Sequence, residues 1–241
     1  MRHIAISDIH GCMTTFKYMV EQVLELKPED RLYLLGDFID RGPNSKGVLD
    51  YVIKLEDAGY KVFCIKGNHE DMMVSAYEEP EKQEIWLYNG GRETLRSFNV
   101  SQPQEIPLKY IDMVDEFDYH IEVEDFILVH AGLNFKGQTK DDEGEGFLWR
   151  LHNPLVDTKS MLWLRHWYED IDWNWLGDRR IIHGHTPVEQ EEIQHMLDTL
   201  PEQQVLDIDN GCFAKFRPGM GKLCAFDMTH NLLYFQDNLD E

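Results

Sequence analysis

The sequence predicts an α/β fold in which parallel strands are joined by helices. Three observations carry that expectation. Short apolar runs alternate with stripes of helical period over residues 1–70. Each apolar run ends in a small block rich in Asp, Asn, His and Gly. The length, 241 residues, is enough for one sizeable hydrophobic core.

His3 to Ser7 forms the first strand and runs into Ser7-Asp8-Ile9-His10-Gly11. Phe16, Met19, Val20, Val23 and Leu24 then recur at helical spacing, and Pro28 marks the stop. Leu32 to Leu35 is the second strand, continuing into Gly36-Asp37-Phe38-Ile39-Asp40-Arg41-Gly42. Val48, Leu49, Val52 and Leu55 make the second helical stripe, which closes near Gly59. Val62 to Ile65 is the third strand and ends at Gly67-Asn68-His69-Glu70. Helical crossovers imply a parallel sheet with helices on its faces, and sites in such sheets gather beyond the carboxyl ends of the strands. Trp86 to Phe98 reads as helix broken at Asn89-Gly90-Gly91, and Ile121 to His130 as a hairpin turning at Glu124-Asp125. Residues 133–146 read as a Gly- and Asp-rich loop, and Arg180 to His183 as a strand leading into Gly184-His185-Thr186. Val205 to Ile208, Leu223 to Asp227 and Leu232 to Phe235 read as antiparallel strands, with turns at Asn210-Gly211 and His230-Asn231. No internal repeat or linker interrupts the chain, so a single domain over 1–241 is expected.

Composition narrows the chemistry. Lys plus Arg is 23 against 45 Asp plus Glu, a net charge of −22. A field that negative argues against nucleic acid and anionic membrane as partners. It also means that an anionic substrate needs local positive charge, which bound cations would supply. Met1-Arg2 is followed by no signal-peptide pattern, no stretch is long enough to span a bilayer, and the four cysteines form no CxxC pair. These features predict a cytoplasmic protein with reduced thiols. A cysteine phosphatase needs Arg six residues after its nucleophile, and those positions hold Tyr18, Glu70, Pro218 and His230.

The polar blocks offer a mixed oxygen and nitrogen ligand set. Asp8 and His10 lie two apart at a strand end, so both can face one cavity; a helix cap and turn is the competing reading. Asp37 holds the equivalent point of the next strand, and a carboxylate can bridge two cations where an imidazole cannot. Asn68 adds a carbonyl oxygen, and His130 and His185 add imidazole nitrogens. Such a set without thiolate suits Mn, Fe, Zn, Co or Ni rather than Ca or Mg. Paired cations sit about 3.5–4 Å apart and clamp the attacking and leaving oxygens of an in-line displacement. His69 directly follows Asn68 and so points elsewhere; it suits a general acid, oriented and raised in pKa by Asp40. Arg41 is a forked cation suited to phosphate oxygens. Glu70 suits either support of the ligands or the first turn of a helix.

These blocks resemble the metallophosphoesterase superfamily, specifically its phosphoprotein phosphatase branch, through the patterns GDxHG, GDxxDRG and GNHE with histidines downstream. Ser7 stands where the first pattern has Gly, at a position that supplies no ligand. The resemblance implies a four-layer sandwich of two mixed sheets flanked by helices. It implies two divalent metal ions, Mn first among them, one held by Asp8, His10 and Asp37 and the other by Asp37, Asn68, His130 and His185. Arg165, in Leu162-Trp163-Leu164-Arg165, matches the second phosphate-binding arginine, with Arg150 in Leu148-Trp149-Arg150 as the alternative. The expected activity is metal-dependent phosphoester hydrolysis. A hydroxide held between the ions attacks in line, Arg41, Arg165 and Asn68 take the charge of the phosphoryl oxygens, and His69 protonates the leaving group. Phosphoserine or phosphothreonine in protein is the first expected substrate, and diadenosine tetraphosphate the alternative. A metal-binding regulatory module without catalysis is a third reading. His183 is expected to be structural, and the Trp163 to Trp175 cluster to form packing or a cap rather than a stacking platform.

Overall fold

A computed structural model describes residues 1–136 and 153–241; Arg150 and residues 137–146 of the expected loop lie outside them. The chain opens with β1 (His3–Ile6), α1 (Met13–Tyr18), β2 (Arg31–Leu34), α2 (Ser45–Asp57) and β3 (Lys61–Cys64). Helices α3 (Asn68–Glu78), α4 (Gln83–Trp86), α5 (Arg92–Phe98) and α6 (Leu108–Asp115) follow, then the hairpin of β4 (His120–Val123) and β5 (Phe126–Val129). The remainder holds α7 (Thr158–Trp163), α8 (Trp173–Leu176), β6 (Arg180–His183), α9 (Gln190–Asp198), α10 (Leu200–Gln203), β7 (Val205–Asp207), β8 (Lys222–Asp227) and β9 (Leu232–Asp237). No helix among the described residues is long and apolar enough to cross a membrane.

Local chemistry explains the boundaries. Asn44 starts α2 by accepting the Gly47 N–H at 2.9 Å, and the helix buries Val48, Leu49, Val52 and Leu55 on one face. It ends where Gly59 takes a φ of +83°, a left-handed conformation that glycine adopts without a steric cost. The break expected at Asn89-Gly90-Gly91 is real: Gly90, with φ of +113°, separates α4 from α5.

Two mixed sheets stack face to face. The first has the order β3-β2-β1-β8-β9, with β1, β2 and β3 parallel and β8 and β9 antiparallel. The second has the order β4-β5-β6-β7, with β5, β6 and β7 parallel and β4 antiparallel. Strand alternation divides the side chains cleanly between layers. Ile4, Ile6, Leu32 and Leu34 face the helices over the first sheet, whereas Ala5, Tyr33 and Leu35 face the second sheet. Leu128, Ile182 and Leu206 meet them from the other side, while Ile127, Ile181 and Val205 turn outward to Met161, Trp167 and Leu176. Each fully buried Leu or Ile contributes about 1.5–3 kcal/mol to holding these layers together.

The late strands depart from expectation. β7 pairs parallel with β6 in the second sheet, so of the three late strands only β8 and β9 pair with each other, antiparallel. The cause is α9, which packs Ile193 and Leu197 into the interior between β6 and β7 and makes their connection a crossover. Asn210-Gly211 therefore joins two different sheets and is not a hairpin turn.

Candidate metal centre

The ligand blocks follow the carboxyl ends of β1, β2, β3, β5 and β6, and their backbones are tightly bent. His10, Asp37, Asp40, Arg41 and His185 all have left-handed φ, between 47° and 74°. Such conformations cost about 1–3 kcal/mol each for non-glycine residues and persist only where surroundings fix them. Glu70 does much of the fixing: its carboxylate accepts the N–H groups of Asp37, Phe38 and Gly67, each at 2.9 Å. Burial raises the Glu70 pKa, and the N–H groups it accepts oppose that rise.

Asp37 lies at the centre. Its Oδ2 stands 3.4 Å from His10 Nε2 and its Oδ1 stands 3.5 Å from His130 Nε2, so the two oxygens face imidazoles on opposite sides. On the second side, His130 Nε2, His185 Nδ1 and Asn68 Oδ1 lie 3.0–3.1 Å from one another. His130 Nδ1 donates to Leu35 O at 2.8 Å and His10 Nδ1 donates to Ile39 O at 2.9 Å, leaving each Nε2 with a lone pair aimed inward. Lone pairs of His130 and Asn68 thus converge on one point, as a cation requires and apolar packing does not. Burial lowers the pKa values of His10, His130 and His185, which keeps these rings neutral, the ligating form. Burial alone would raise Asp37, but attraction to the cationic groups around it, His69 and Arg41 among them, outweighs burial and holds the carboxylate ionised. The donor set therefore fits a pair of divalent cations.

His69, expected from sequence to act as the acid, lies in the same cluster. His69 Nδ1 lies 2.7 Å from Asp40 Oδ2, and His69 Nε2 is buried without a hydrogen-bond partner among the described residues. Burial works to lower the His69 pKa; the Asp37 charge and the Asp40 hydrogen bond overcome it, so the pKa is raised. Two residues that carry no motif hold Asp40. The Trp86 indole donates to Oδ2 at 2.9 Å and the Thr94 hydroxyl donates to Oδ1 at 2.6 Å. The arginines reach opposite sides of the cluster: Arg41 Nη1 donates to His10 Nε2 at 2.7 Å, and Arg165 Nε donates to His185 Nε2 at 3.1 Å. Phe213 lies under the Arg41 guanidinium, 4.5 Å from ring centre to Cζ, and edge-on to His10.

The structure thus brings His10, Asp37, Asn68, His130, His185, His69, Asp40, Arg41 and Arg165 together. Asp8 is buried in the same region but stands outside the two tightest groups, which are His10-Asp37-His69 and Asp37-His130-His185. Its carboxylate accepts the His185 N–H at 3.2 Å. His183 is a structural partner of Tyr168, at 2.7 Å, and Trp167 packs with Phe135 in the core of the second sheet. Sequence reasoning missed Trp86 and Thr94, which lie 46 and 54 residues from Asp40 and belong to no recognisable pattern.

Two mixed sheets flanked by helices, with buried carboxylate, amide and imidazole ligands at the strand ends, define a metal-dependent phosphoesterase. The chain belongs to the calcineurin-like phosphoesterase family, whose model matches residues 1–210. Among curated proteins it is similar to the symmetrical bis(5'-nucleosyl)-tetraphosphatase of Pseudomonas fluorescens, 28% identical over 133 residues, 55% of this chain and 43% of that one. The enzyme of the same name from Wigglesworthia glossinidia brevipalpis is 38% identical over 82 residues, 34% of this chain and 29% of that one. These matches span less than half the length of either relative. Among solved structures, a protein provisionally named a diadenosine tetraphosphatase superposes with a TM-score of 0.62 at 18% identity, covering 98% of this chain and 93% of that one. A protein serine/threonine phosphatase from Saccharomyces cerevisiae superposes with a TM-score of 0.64 at 14% identity, covering 100% and 81%. At those identities the two likenesses concern the fold.

Proposed function

We propose that this chain hydrolyses dinucleoside polyphosphates, adding water across a phosphoanhydride bond to release two nucleoside phosphates. The observation that carries the choice is the activity for which the similar curated proteins are named, symmetrical bis(5'-nucleosyl)-tetraphosphatase. It reverses the order expected from sequence, where phosphoserine and phosphothreonine came first, because the phosphatase likeness extends to fold alone. A cavity of about 350 Å³ beside Arg41, lined by Phe213 and by both basic (Arg96, Lys215) and acidic (Glu93, Asp240, Glu241) residues, leaves room for a group beyond the phosphate.

Asp8, His10 and Asp37 would hold one cation, and Asp37, Asn68, His130 and His185 the other; bound there, the cations would polarise phosphoryl oxygens and lower the pKa of water. Arg41 and Arg165 add fixed positive charge on either side of Asp37, which admits an anionic substrate to a protein of net charge −22. His69 presents Nε2–H to the departing oxygen, and Asp40 fixes the ring that carries it. Side-by-side kcat/KM on diadenosine tetraphosphate and a phosphoserine peptide, both with manganese, tests the choice. The dinucleotide is expected to be preferred at least tenfold, about 1.4 kcal/mol of transition-state discrimination; preference for the peptide would overturn it.

A further inference from the structure

Asp209 is a buried carboxylate near the centre with no role in the scheme above. It is 1% exposed, its Oδ1 accepts the Gly211 N–H at 2.7 Å, and its Oδ2 is buried without a partner among the described residues. A solvent-excluded carboxylate oxygen with nothing to bond to is costly and calls for a counter-charge.

Its place in the fold says where that charge lies. His183 of β6 and Asp207 of β7 are register partners in adjacent parallel strands. Asp209 follows Asp207 by the same two residues by which His185, a proposed ligand, follows His183, and between them the Ile208 N–H donates to His183 O at 2.8 Å. Gly184 separates Asp209 from another ligand: a β-carbon there would collide with Asp8 Oδ1 and stand 3.5 Å from Asp209 Cβ. The only backbone narrow enough for that gap is glycine. Two buried carboxylates, Asp8 and Asp209, therefore flank one glycine at the rim of the centre.

We propose that Asp209 is an additional anionic member of the cation site on the Asp8 side, its free oxygen adding to the charge that holds the ion there. This rests on the two-cation reading given above and is independent of which phosphate compound is cut. The competing role is a simple turn in which Asp209 only accepts the Gly211 N–H, and asparagine would do that equally well.

Calorimetric titration of the metal-free protein with manganese separates the two, using the native chain and Asp209→Asn. The variant is expected to bind one of its two ions about 10–100-fold more weakly, with a metal-free Tm no lower than native. Native affinity at both sites would overturn the proposal, as would weaker binding accompanied by a lowered metal-free Tm. A native chain that takes up no manganese would overturn the cation reading as well. Substrate preference enters none of these readouts, so a wrong choice of substrate leaves the result distinct.

Discussion

His69 Nδ1 and Asp40 Oδ2 are 2.7 Å apart between two buried residues, and the opposite nitrogen of His69 has no hydrogen-bond partner among the described residues. That geometry holds a proton where a leaving oxygen could take it. His69→Ala is expected to lower turnover by roughly 10²–10⁴ while manganese content stays at the native value. The penalty is expected to be smaller on diadenosine tetraphosphate than on a phosphoserine ester. An anhydride departs as a stabilised phosphate anion and needs less help from an acid than an alkoxide does. Comparing native and variant rates on both substrates checks both statements.

Asp40 depends on two residues far from it in sequence. Thr94→Val removes the hydroxyl that donates to Oδ1 and accepts from the Asp40 N–H, leaving buried polar groups short of partners. Urea unfolding is expected to show a loss of roughly 1–3 kcal/mol, and kcat should fall more than KM rises because His69 loses its orientation. Trp86→Phe keeps most of the packing and removes one indole donor, so it should reproduce the kinetic effect with a smaller loss of stability.

Glu70 ties the Asp37 loop to the start of α3 through the three N–H groups it accepts. Glu70→Ala leaves those donors buried without partners, each costing about 1–3 kcal/mol if unrelieved. The variant is expected to lose bound metal and thermal stability together, which elemental analysis and a melting curve would show. Glu70→Gln retains an acceptor and should fall between the two.

Much of this was legible in the sequence, for physical reasons that differ by element. β1, β2 and β3 alternate with amphipathic helices, so their order and parallel pairing follow from periodicity. Each ends in a polar block, which locates the site before any coordinate is known. β7 was misread because a short apolar run carries no mark of its pairing direction; α9, with few apolar residues, hid the crossover that decides it. Trp86 and Thr94 were invisible for another reason. Their roles arise from contacts across long sequence separations, and each residue taken alone is ordinary for a helix or a turn.

The Arg2–Asp30 pair gives a pH-dependent prediction away from the site. Arg2 donates to Asp30 through its backbone N–H at 2.8 Å and through Nη2 at 2.7 Å. Burial raises the Asp30 pKa, but the bonds from Arg2 and Lys27 outweigh it and hold the carboxyl below the usual carboxylate range. A depressed folded-state pKa stabilises fully above the unfolded value, about 3.9, and that contribution fades as pH falls through the folded value. Asp30→Asn is therefore expected to cost about 1–2 kcal/mol near neutrality, with the difference from native closing below about pH 4. Denaturant titrations at pH 7 and at a series of pH values descending from 4 measure the full difference and its loss.

The most direct test of the centre is the metal content of Asp37→Asn beside that of native protein, both purified without chelator and loaded with manganese. Asp37 presents one oxygen to His10 and the other to His130, so one substitution should weaken both positions. Two manganese ions per native chain, falling to one or none in the variant with turnover lost, is the predicted result. A variant that keeps both ions, or a native chain that turns over substrate with none, would contradict it.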